Sequence, residues 1–295
     1  QKKLARWTLE HPSAVYMGSI LLLALLMAVG SAVYAAAQSG SVLPVLVAAA
    51  VTIMPALAVA IALVDWVVTL AVPPRILPKL DLSGQSGAGG IPDSCRTLVV
   101  IPALLGSASD VTSLLRQIEL HYLRNRGPNL YFALLTDFTD AVHQHMPGDD
   151  ELLEQQRAGI ARLNERYAAQ AGSGSQVGPF FMFHRERRWN EKQNRWMGWE
   201  RKRGKLHELN RWLRGATDTS IVTIAGPVDE LRQVRYVITL DSDTILGSDG
   251  ARSLVGTLAH PLNRAQADPR TGRVLRGHGL LQPRTEITPT SANCS

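Results

Sequence analysis

The chain has 295 residues, of which 45% are hydrophobic and 6% aromatic, and its formal net charge is +6 at pH 7. This length and composition exclude a chain too small to bury a core, and they are compatible with one or two domains. The apolar residues are unevenly spread: residues 14–37 contain no charged side chain, and residues 42–72 contain only Asp65. Because roughly 20 apolar residues cross a bilayer as a helix, each stretch is long enough to span one.

These two stretches predict a transmembrane hairpin rather than a cleaved signal peptide. The first stretch is longer than the apolar core of a signal peptide, and a second one follows directly after QSGS. Lys2, Lys3 and Arg6 precede the hairpin, and Arg75 and Lys79 follow it. Because positively charged flanks stay on the cytoplasmic side, we expect both ends of the hairpin in the cytoplasm.

A linker separates the hairpin from a soluble domain. The segment PPRILPKL disfavours helix, and SGQSGAGG is flexible. Cys95 and Cys294 have no metal-binding spacing, and in a cytosolic domain we expect both to be free thiols. The predicted organisation is a cytoplasmic segment (1–13), two transmembrane helices (14–72), a linker (73–92) and a soluble domain (93–295).

The soluble part alternates strand and helix patterns. TLVVIPAL (97–104) predicts a buried strand, followed by a helix with Asp110 as its cap. NLYFALLTDF (129–138) predicts a second strand, which ends beside Asp137, and an amphipathic helix begins at Glu151. Strand, helix and strand in this order predict a right-handed crossover and a parallel sheet.

A pair of carboxylates, Asp241 and Asp243, ends the apolar run in RYVITLDSDTIL (235–246). In open parallel sheets ligands bind at the carboxyl ends of strands, and Asp137 lies at such an end as well. Carboxylates one residue apart repel each other unless a cation lies between them. The pair therefore predicts a Mg²⁺ or Mn²⁺ site in which the metal bridges phosphate oxygens and stabilises a departing diphosphate.

Residues 184–214 form a basic stretch with eleven Lys and Arg against four Glu. It has three interpretations: a solvated helix face, a membrane-surface or nucleic-acid patch, and the phosphate-binding wall of an active site. No nucleic-acid module pattern is present, and two membrane spans disfavour a nucleic-acid partner. Four tryptophans in the stretch would suit stacked bases or sugars: Trp189, Trp196, Trp199 and Trp212.

The second half of the basic stretch predicts a helix in RGKLHELN. A helix starting near Gly204 would bring Arg203 or Lys205 to its amino end, which favours phosphate. A basic wall and a carboxylate pair are satisfied together by one ligand, a nucleoside diphosphate with a divalent metal.

The segments TLVVIPAL, LLTDFTDA, WMGWERKRGKLHELN, VRYVITLDSDTIL and GHGLLQPR together resemble the glycosyltransferase domain of the cyclic β-1,2-glucan synthases, which are bacterial inner-membrane enzymes. The resemblance covers most of residues 70–290. It implies an α/β fold with a GT-A-like nucleotide-sugar-binding sheet and flanking helices. It also implies inverting, metal-dependent transfer of glucose from UDP-glucose to a glucan acceptor, in a multi-pass protein surrounded by inner-membrane lipid.

The resemblance also implies roles for individual residues. By the family pattern, Asp137 would contact the uridine, Lys205 the diphosphate region, and Asp241 with Asp243 the metal and ribose. Gln282 matches a strand on the acceptor side. The family's acidic base motif and Gln-x-x-Arg-Trp motif have no counterpart in this sequence. We therefore expect a truncated piece of a longer protein and assign no general base.

Two other functions remain open at this point. One is a membrane-anchored interaction module without catalysis. The other is a phosphatase of the haloacid dehalogenase type, in which an Asp-x-Asp motif supplies a nucleophile and an acid. Such phosphatases need most of their sheet and further charged groups after the motif, whereas only 52 residues follow Asp243 in this chain.

Overall fold

A computed structural model describes residues 11–39, 41–72, 74, 76–83, 90–168 and 178–286 of the chain. The chain divides into two compact units, Gln1–Ile76 and Leu77–Ser295. Some predictions depend on residues outside the described ones: Lys2, Lys3, Arg6, Arg75, Cys294 and most of SGQSGAGG.

The amino-terminal unit contains two long apolar helices, α1 (Pro12–Ser39) and α2 (Val42–Ala71). Both are long and apolar enough to cross a membrane, and only 11% of the most apolar window of each is buried. They pack through a small cluster of buried side chains: Ile20, Ala24, Ala56, Ala60 and Val64. Alanines at such positions let helix backbones approach closely. The predicted pair of apolar helices is confirmed, and their insertion into a membrane stays a prediction.

The carboxy-terminal unit alternates strands and helices. In chain order they are β1 (Thr97–Leu105), α3 (Ala108–Arg124), β2 (Leu130–Phe138), α4 (Asp149–Tyr167), β3 (Phe180–Arg185), β4 (Arg188–Asn190), β5 (Arg195–Met197), α5 (Arg201–Leu213), β6 (Ile221–Ala225), β7 (Tyr236–Thr239), α6 (Gly250–Ala259), β8 (Gln266–Ala267) and β9 (Val274–Arg276). Short 3₁₀ helices lie at Asp93–Cys95, Val228–Gln233 and Pro261–Asn263.

A five-stranded sheet with the order β6-β3-β2-β1-β7 organises this unit. Strands β1, β2, β3 and β7 are parallel, and β6 pairs antiparallel with β3 at one edge. The register aligns Leu104 of β1 with Asp137 of β2, and Asp137 with Arg185 of β3. The carboxyl ends of three neighbouring strands therefore meet at one edge. The predicted α/β fold with a mostly parallel sheet is confirmed.

The central strands are buried on both faces, which explains their continuous apolar sequence. Helices α3, α4 and α6 cover one face, where the strands contribute Val99, Ile101, Phe132, Leu134, Phe180 and Met182. Helix α5 covers the other face, where the strands contribute Leu98, Val100, Ala133, Leu135, Phe181 and Phe183. Because side chains on a strand alternate between faces, two separate cores form from adjacent positions of the same strands.

The start of α3 corrects one prediction. The cap is Ser107, whose side-chain oxygen accepts a hydrogen bond from the backbone N–H of Asp110 at 3.3 Å. Asp110 lies inside the first turn, where its carboxylate accepts the N–H of Gly106 at 3.1 Å. Both Ser and Asp are good caps, and a carboxylate is also favourable in the first turn, so the local sequence does not choose between them.

Candidate functional site

A cleft of about 570 Å³ opens at the carboxyl edge of the sheet. Its walls come from the ends of β1 and β2, the first half of α3, the start of α5 and the loop after β7. The polar and charged side chains that line it are Asp110, Ser113, Gln117, Asp137, Thr139, Asp140, Arg201, Lys202, Lys205 and Ser242. This is the edge at which open α/β sheets bind ligands.

Asp137 is buried and holds two cations. Arg185 donates to both carboxylate oxygens, Nε to Oδ1 and Nη2 to Oδ2, each at 2.8 Å. The ammonium of Lys205 lies 3.1 Å from Oδ2. The side chains of Asp137, Arg185 and Lys205 are at most 3% exposed. A bidentate, buried pair of this kind fixes the orientation of the carboxylate.

Arg185 extends this buried network into α5. Its guanidinium donates to Glu208 Oε2 at 3.3 Å and to the carbonyl oxygen of Trp199 at 3.2 Å. Glu208 also accepts hydrogen bonds from the backbone N–H and the hydroxyl of Ser220. Burial opposes the charge of Arg185, but its contacts with Asp137 and Glu208 leave its pKa above the ordinary value. The network therefore joins β2, β3 and α5 beneath the cleft.

Lys205 faces the interior of the site. Its ammonium donates to the carbonyl oxygen of Ala103 at 2.7 Å as well as contacting Asp137. Burial lowers its pKa, and the Asp137 carboxylate acts in the opposite direction. The helix begins at Arg201, so Arg203 lies in its first turn, as predicted, whereas Lys205 lies in the second turn.

Two residues that the sequence analysis did not single out occupy the start of α5. Arg201 donates to Asp140 Oδ2 at 2.6 Å, and Lys202 forms an ion pair with Asp241 Oδ1. Both line the cleft, and the side chain of Lys202 is 51% exposed. The exposed ammonium available to a ligand is therefore that of Lys202. The lysines on either side of Gly204 in KRGK were a signal, but the sequence does not show which of the two is buried.

The predicted metal-binding carboxylates follow β7. Asp241 is 55% exposed on its side chain, and Asp243 is also exposed. The intervening Ser242 lines the cleft, and its carbonyl oxygen accepts a hydrogen bond from Gln117 of α3 at 2.7 Å. This bond ties residues 241–243, here called the carboxylate turn, to the cleft wall.

The carboxylate turn fits a divalent cation that is only partly held by protein. Within the described part of the chain, no group of three or more His, Cys, Asp or Glu is arranged to hold a metal. Mg²⁺ is commonly held by one or two carboxylates together with water and substrate phosphates. Asp241 and Asp243 are two exposed carboxylates of the kind such a site uses, and the ammonium of Lys202 balances the charge of Asp241.

The WMGWERKRGK segment needs its glycines because the backbone passes close to the buried network. A Cβ on Gly198 would overlap the Asp137 carboxylate, and a Cβ on Gly204 would overlap the carbonyl oxygen of Trp199. Glu200 and Arg201 adopt left-handed φ angles of 50° and 45°. Left-handed backbone at residues other than glycine is strained and persists where surrounding contacts impose it. The start of α5 is thus held in place by the network below it.

Part of the basic stretch lines the cleft, and Gln282 differs from its prediction. Arg185, Arg187 and Lys205 are buried and paired with carboxylates, so residues 184–214 do not form a continuous basic wall. Gln282 is exposed and lies outside the strands, so the predicted strand at this position is wrong.

Comparison with known proteins agrees with the resemblance carried by these motifs. No protein-family model matches the sequence. Over 238 residues, 80% of the chain, the sequence is 45% identical to the cyclic beta-(1,2)-glucan synthase NdvB of Rhizobium meliloti (strain 1021). The chain spans 8% of the length of that protein. The resemblance to the cyclic β-1,2-glucan synthases is confirmed, and over the matched residues this chain is a homologue of one segment of such a synthase.

Proposed function

We propose that this chain carries the donor-binding site of a glycosyltransferase that moves glucose from UDP-glucose to a growing β-1,2-glucan. The observation that supports this most strongly is the cleft, which brings the carboxylate turn and the cationic start of α5 to one edge of the sheet. The similarity to a cyclic β-1,2-glucan synthase supports a transferase that makes glucan. Glucose as the donor sugar and UDP as its carrier are part of the proposal.

In the proposed donor complex, Asp241 and Asp243 hold Mg²⁺ or Mn²⁺. A divalent cation bound there neutralises diphosphate charge and stabilises the leaving group. Lys202 pairs with Asp241. With a cation held by the two aspartates, the exposed ammonium of Lys202 would contact the diphosphate. Asp137 and Arg185 keep the start of α5 in position for this contact, and the proposed contact of Asp137 with uridine adds to that role.

The proposed transfer inverts the anomeric centre. The 2-hydroxyl oxygen of the acceptor attacks the anomeric carbon opposite the diphosphate, and the bond from that carbon to the diphosphate oxygen breaks with its electron pair leaving on UDP. A general base takes the hydroxyl proton. We assign no residue of this chain as that base.

We also propose that α1 and α2 cross the bacterial inner membrane as a hairpin, with the carboxy-terminal unit in the cytoplasm. The support is the length and apolar composition of the two helices. A cytoplasmic location is required for a donor such as UDP-glucose, which is made inside the cell.

The proposed function is tested by titrating UDP against the whole chain in detergent, with Mn²⁺ or with chelator. We expect tighter binding with metal, because the cation screens the diphosphate from the two aspartates. Asp243→Asn should remove most of the metal-dependent gain. Asp229→Asn, an exposed aspartate outside the cleft, is the control and should bind as wild type. Equal UDP affinity with and without metal would contradict the proposed role of the carboxylate pair.

A further inference from the structure

A small hairpin beside the cleft presents two tryptophans that the donor site does not use. Strands β4 and β5 form a separate two-stranded sheet in which Trp189 lies opposite Trp196. The ring centroids are 5.8 Å apart and the rings are inclined by 60°. Trp189 is 46% exposed, so a large part of its apolar surface faces solvent. An aromatic pair on an ordered element, with one ring exposed and the other partly buried beside it, indicates a binding surface.

The hairpin is tied to the wall of the cleft. Trp196 and Ala141 exchange two backbone hydrogen bonds, each of 2.9 Å, and Ala141 directly follows the cleft residue Asp140. At the other end, β5 runs through Met197 into Gly198, which also lines the cleft. Strand β5 is therefore joined to the cleft by a pair of backbone hydrogen bonds and by the chain that follows it.

The base of the hairpin is anchored in the buried part of the unit. Arg187, which precedes β4, pairs with the buried carboxylate of Asp149 and donates to the carbonyl oxygen of Thr139 at 2.7 Å. The turn is ordered as well, because the side chain of Asn190 accepts the backbone N–H of Gln193 at 3.2 Å. A hairpin with an anchored base and an ordered turn offers its rings without a large cost in conformational entropy.

The hairpin surface combines indole rings with polar groups, which are the two kinds of group that bind a hydroxyl-rich sugar chain. In a β-linked glucose unit the ring C–H bonds are axial, which gives the sugar flat apolar faces, and the hydroxyls project from its rim. Indole rings pack against such faces, while flanking polar groups bond the hydroxyls. Glu186, which lies 3.4 Å from Arg188, and Glu191 provide carboxylates that can accept hydrogen bonds from hydroxyls, and Arg188 provides a donor.

We propose that the Trp189–Trp196 hairpin is a binding platform for the β-linked glucan chain, next to the donor cleft. The inference rests on the proposed function, because it takes the growing glucan as the ligand. A cross-strand aromatic pair also stabilises a short hairpin, so the test must separate binding from folding.

The experiment titrates a linear β-1,2-linked glucose oligosaccharide against the whole chain in detergent, without nucleotide. We expect Trp189→Thr, which keeps a strand-forming residue but removes the ring, to weaken binding about tenfold. Trp189→Tyr should retain most of the affinity. Leu275→Ala removes an exposed apolar side chain from the separate β8–β9 hairpin and should have no effect. Equal affinity in wild type and Trp189→Thr, or no oligosaccharide binding by wild type, would overturn the proposal.

Two parallel measurements separate this proposal from its alternatives. UDP titration should give the same affinity for wild type and Trp189→Thr; if UDP binds with metal and the oligosaccharide does not, the platform alone is wrong. Failure of UDP to bind, with the oligosaccharide still bound through Trp189, would contradict the donor site and support the platform. In nanodiscs of brominated phospholipid, quenching assigned to Trp189 by comparison with the variant would place the ring in lipid and overturn the proposal.

Discussion

Lys202 and Lys205 are neighbours on α5 with opposite surroundings. The ammonium of Lys205 is enclosed by Asp137 and a backbone carbonyl, whereas that of Lys202 is half exposed and contacts Asp241 across the cleft. A buried ion that is already paired contributes mainly to folding, because removal of one partner leaves the other charge unpaired. An exposed ion at a cleft is free to exchange its partner for a ligand.

We therefore expect Lys202→Ala to affect UDP binding and Lys205→Ala to affect the stability of the fold. Lys202→Ala should weaken UDP binding by roughly 1.5 to 3 kcal/mol, the worth of a charge-assisted hydrogen bond, with an unchanged melting temperature. Lys205→Ala should lower the free energy of unfolding by about 3 kcal/mol. The control is Arg203→Ala, whose side chain is 85% exposed and lies outside the cleft lining. Equal losses of UDP affinity in Lys202→Ala and Arg203→Ala would disprove the assignment.

His121 predicts a pH dependence of stability that is independent of the donor site. It is 2% exposed, and neither ring nitrogen has a hydrogen-bond partner in the described part of the chain. Burial lowers the pKa of His121 to about 4, from 6.5 for the free side chain, and the charge of Arg124 acts in the same direction. Between these values the unfolded chain binds more protons than the folded one, so stability falls as the pH drops from about 6.5 towards 4.

His121→Leu should remove this contribution. We expect the melting temperature of the variant, relative to wild type, to be higher at pH 5 than at pH 8, since leucine carries no proton in either state. Differential scanning calorimetry at the two pH values measures the difference. If the melting temperatures of the two proteins changed with pH in parallel, the pKa of His121 would not be lowered in the folded state.

At the scale of the element, helix propensity and side-chain packing predict opposite effects of a substitution at the start of α5. Alanine is the better helix former by about 1 kcal/mol, so helix propensity alone predicts that Gly204→Ala stabilises the protein. The structure predicts the reverse, because the added Cβ would overlap the Trp199 carbonyl oxygen that accepts from Arg185. Overpacking of this kind costs roughly 1 to 3 kcal/mol. Thermal unfolding of Gly204→Ala beside Arg203→Ala decides between the two, and a more stable Gly204→Ala would contradict the described packing.

The elements that sequence reasoning found are those with a strong local signal. Strands β1 and β2 are long apolar runs, and their predicted limits differ from the observed ones by a single residue at one end each. β6 was not predicted, because its place at the sheet edge depends on antiparallel pairing with β3, and the β4–β5 hairpin consists of very short strands. Such pairings are decided by contacts between distant parts of the chain, which periodicity does not report.

For the site, too, the sequence indicated the residues that have a local signal and missed those that depend on long-range contacts. Asp137 and Asp241 stand at strand ends that a pattern of apolar runs reveals, and the structure brings both to the cleft region. Arg185 escaped prediction because it was counted among eleven basic residues, and its partner Asp137 is 48 residues away in sequence. The buried or exposed state of a lysine depends on the same long-range contacts, so the family pattern that indicates Lys205 does not report that it is buried and Lys202 exposed.

At the scale of the whole molecule, the location of the site follows from how the strands are buried. Because the central strands are covered on both faces, charged side chains are tolerated where the strands end, or inside only as paired ions. The chain shows both cases: Asp241 and Asp243 follow β7 in solvent, and Asp137 is enclosed with Arg185. A ligand that bridges the exposed carboxylates and the start of α5 would therefore bind to groups whose ion pairs are exposed and exchangeable, whereas the pairs of Asp137 are buried.

The membrane arrangement makes the last prediction. If α1 and α2 form a hairpin with cytoplasmic ends, Ser41, in the short connection between them, faces the periplasm, and Lys192, in the β4–β5 turn, is in the cytoplasm. In intact spheroplasts a membrane-impermeant maleimide should label Ser41→Cys above the background of the native cysteines and should not label Lys192→Cys. Permeabilised cells should show labelling at both positions, which controls for reactivity. Labelling of Lys192→Cys in intact spheroplasts would reverse the orientation, and with it the access of the cleft to a donor that is made in the cytoplasm.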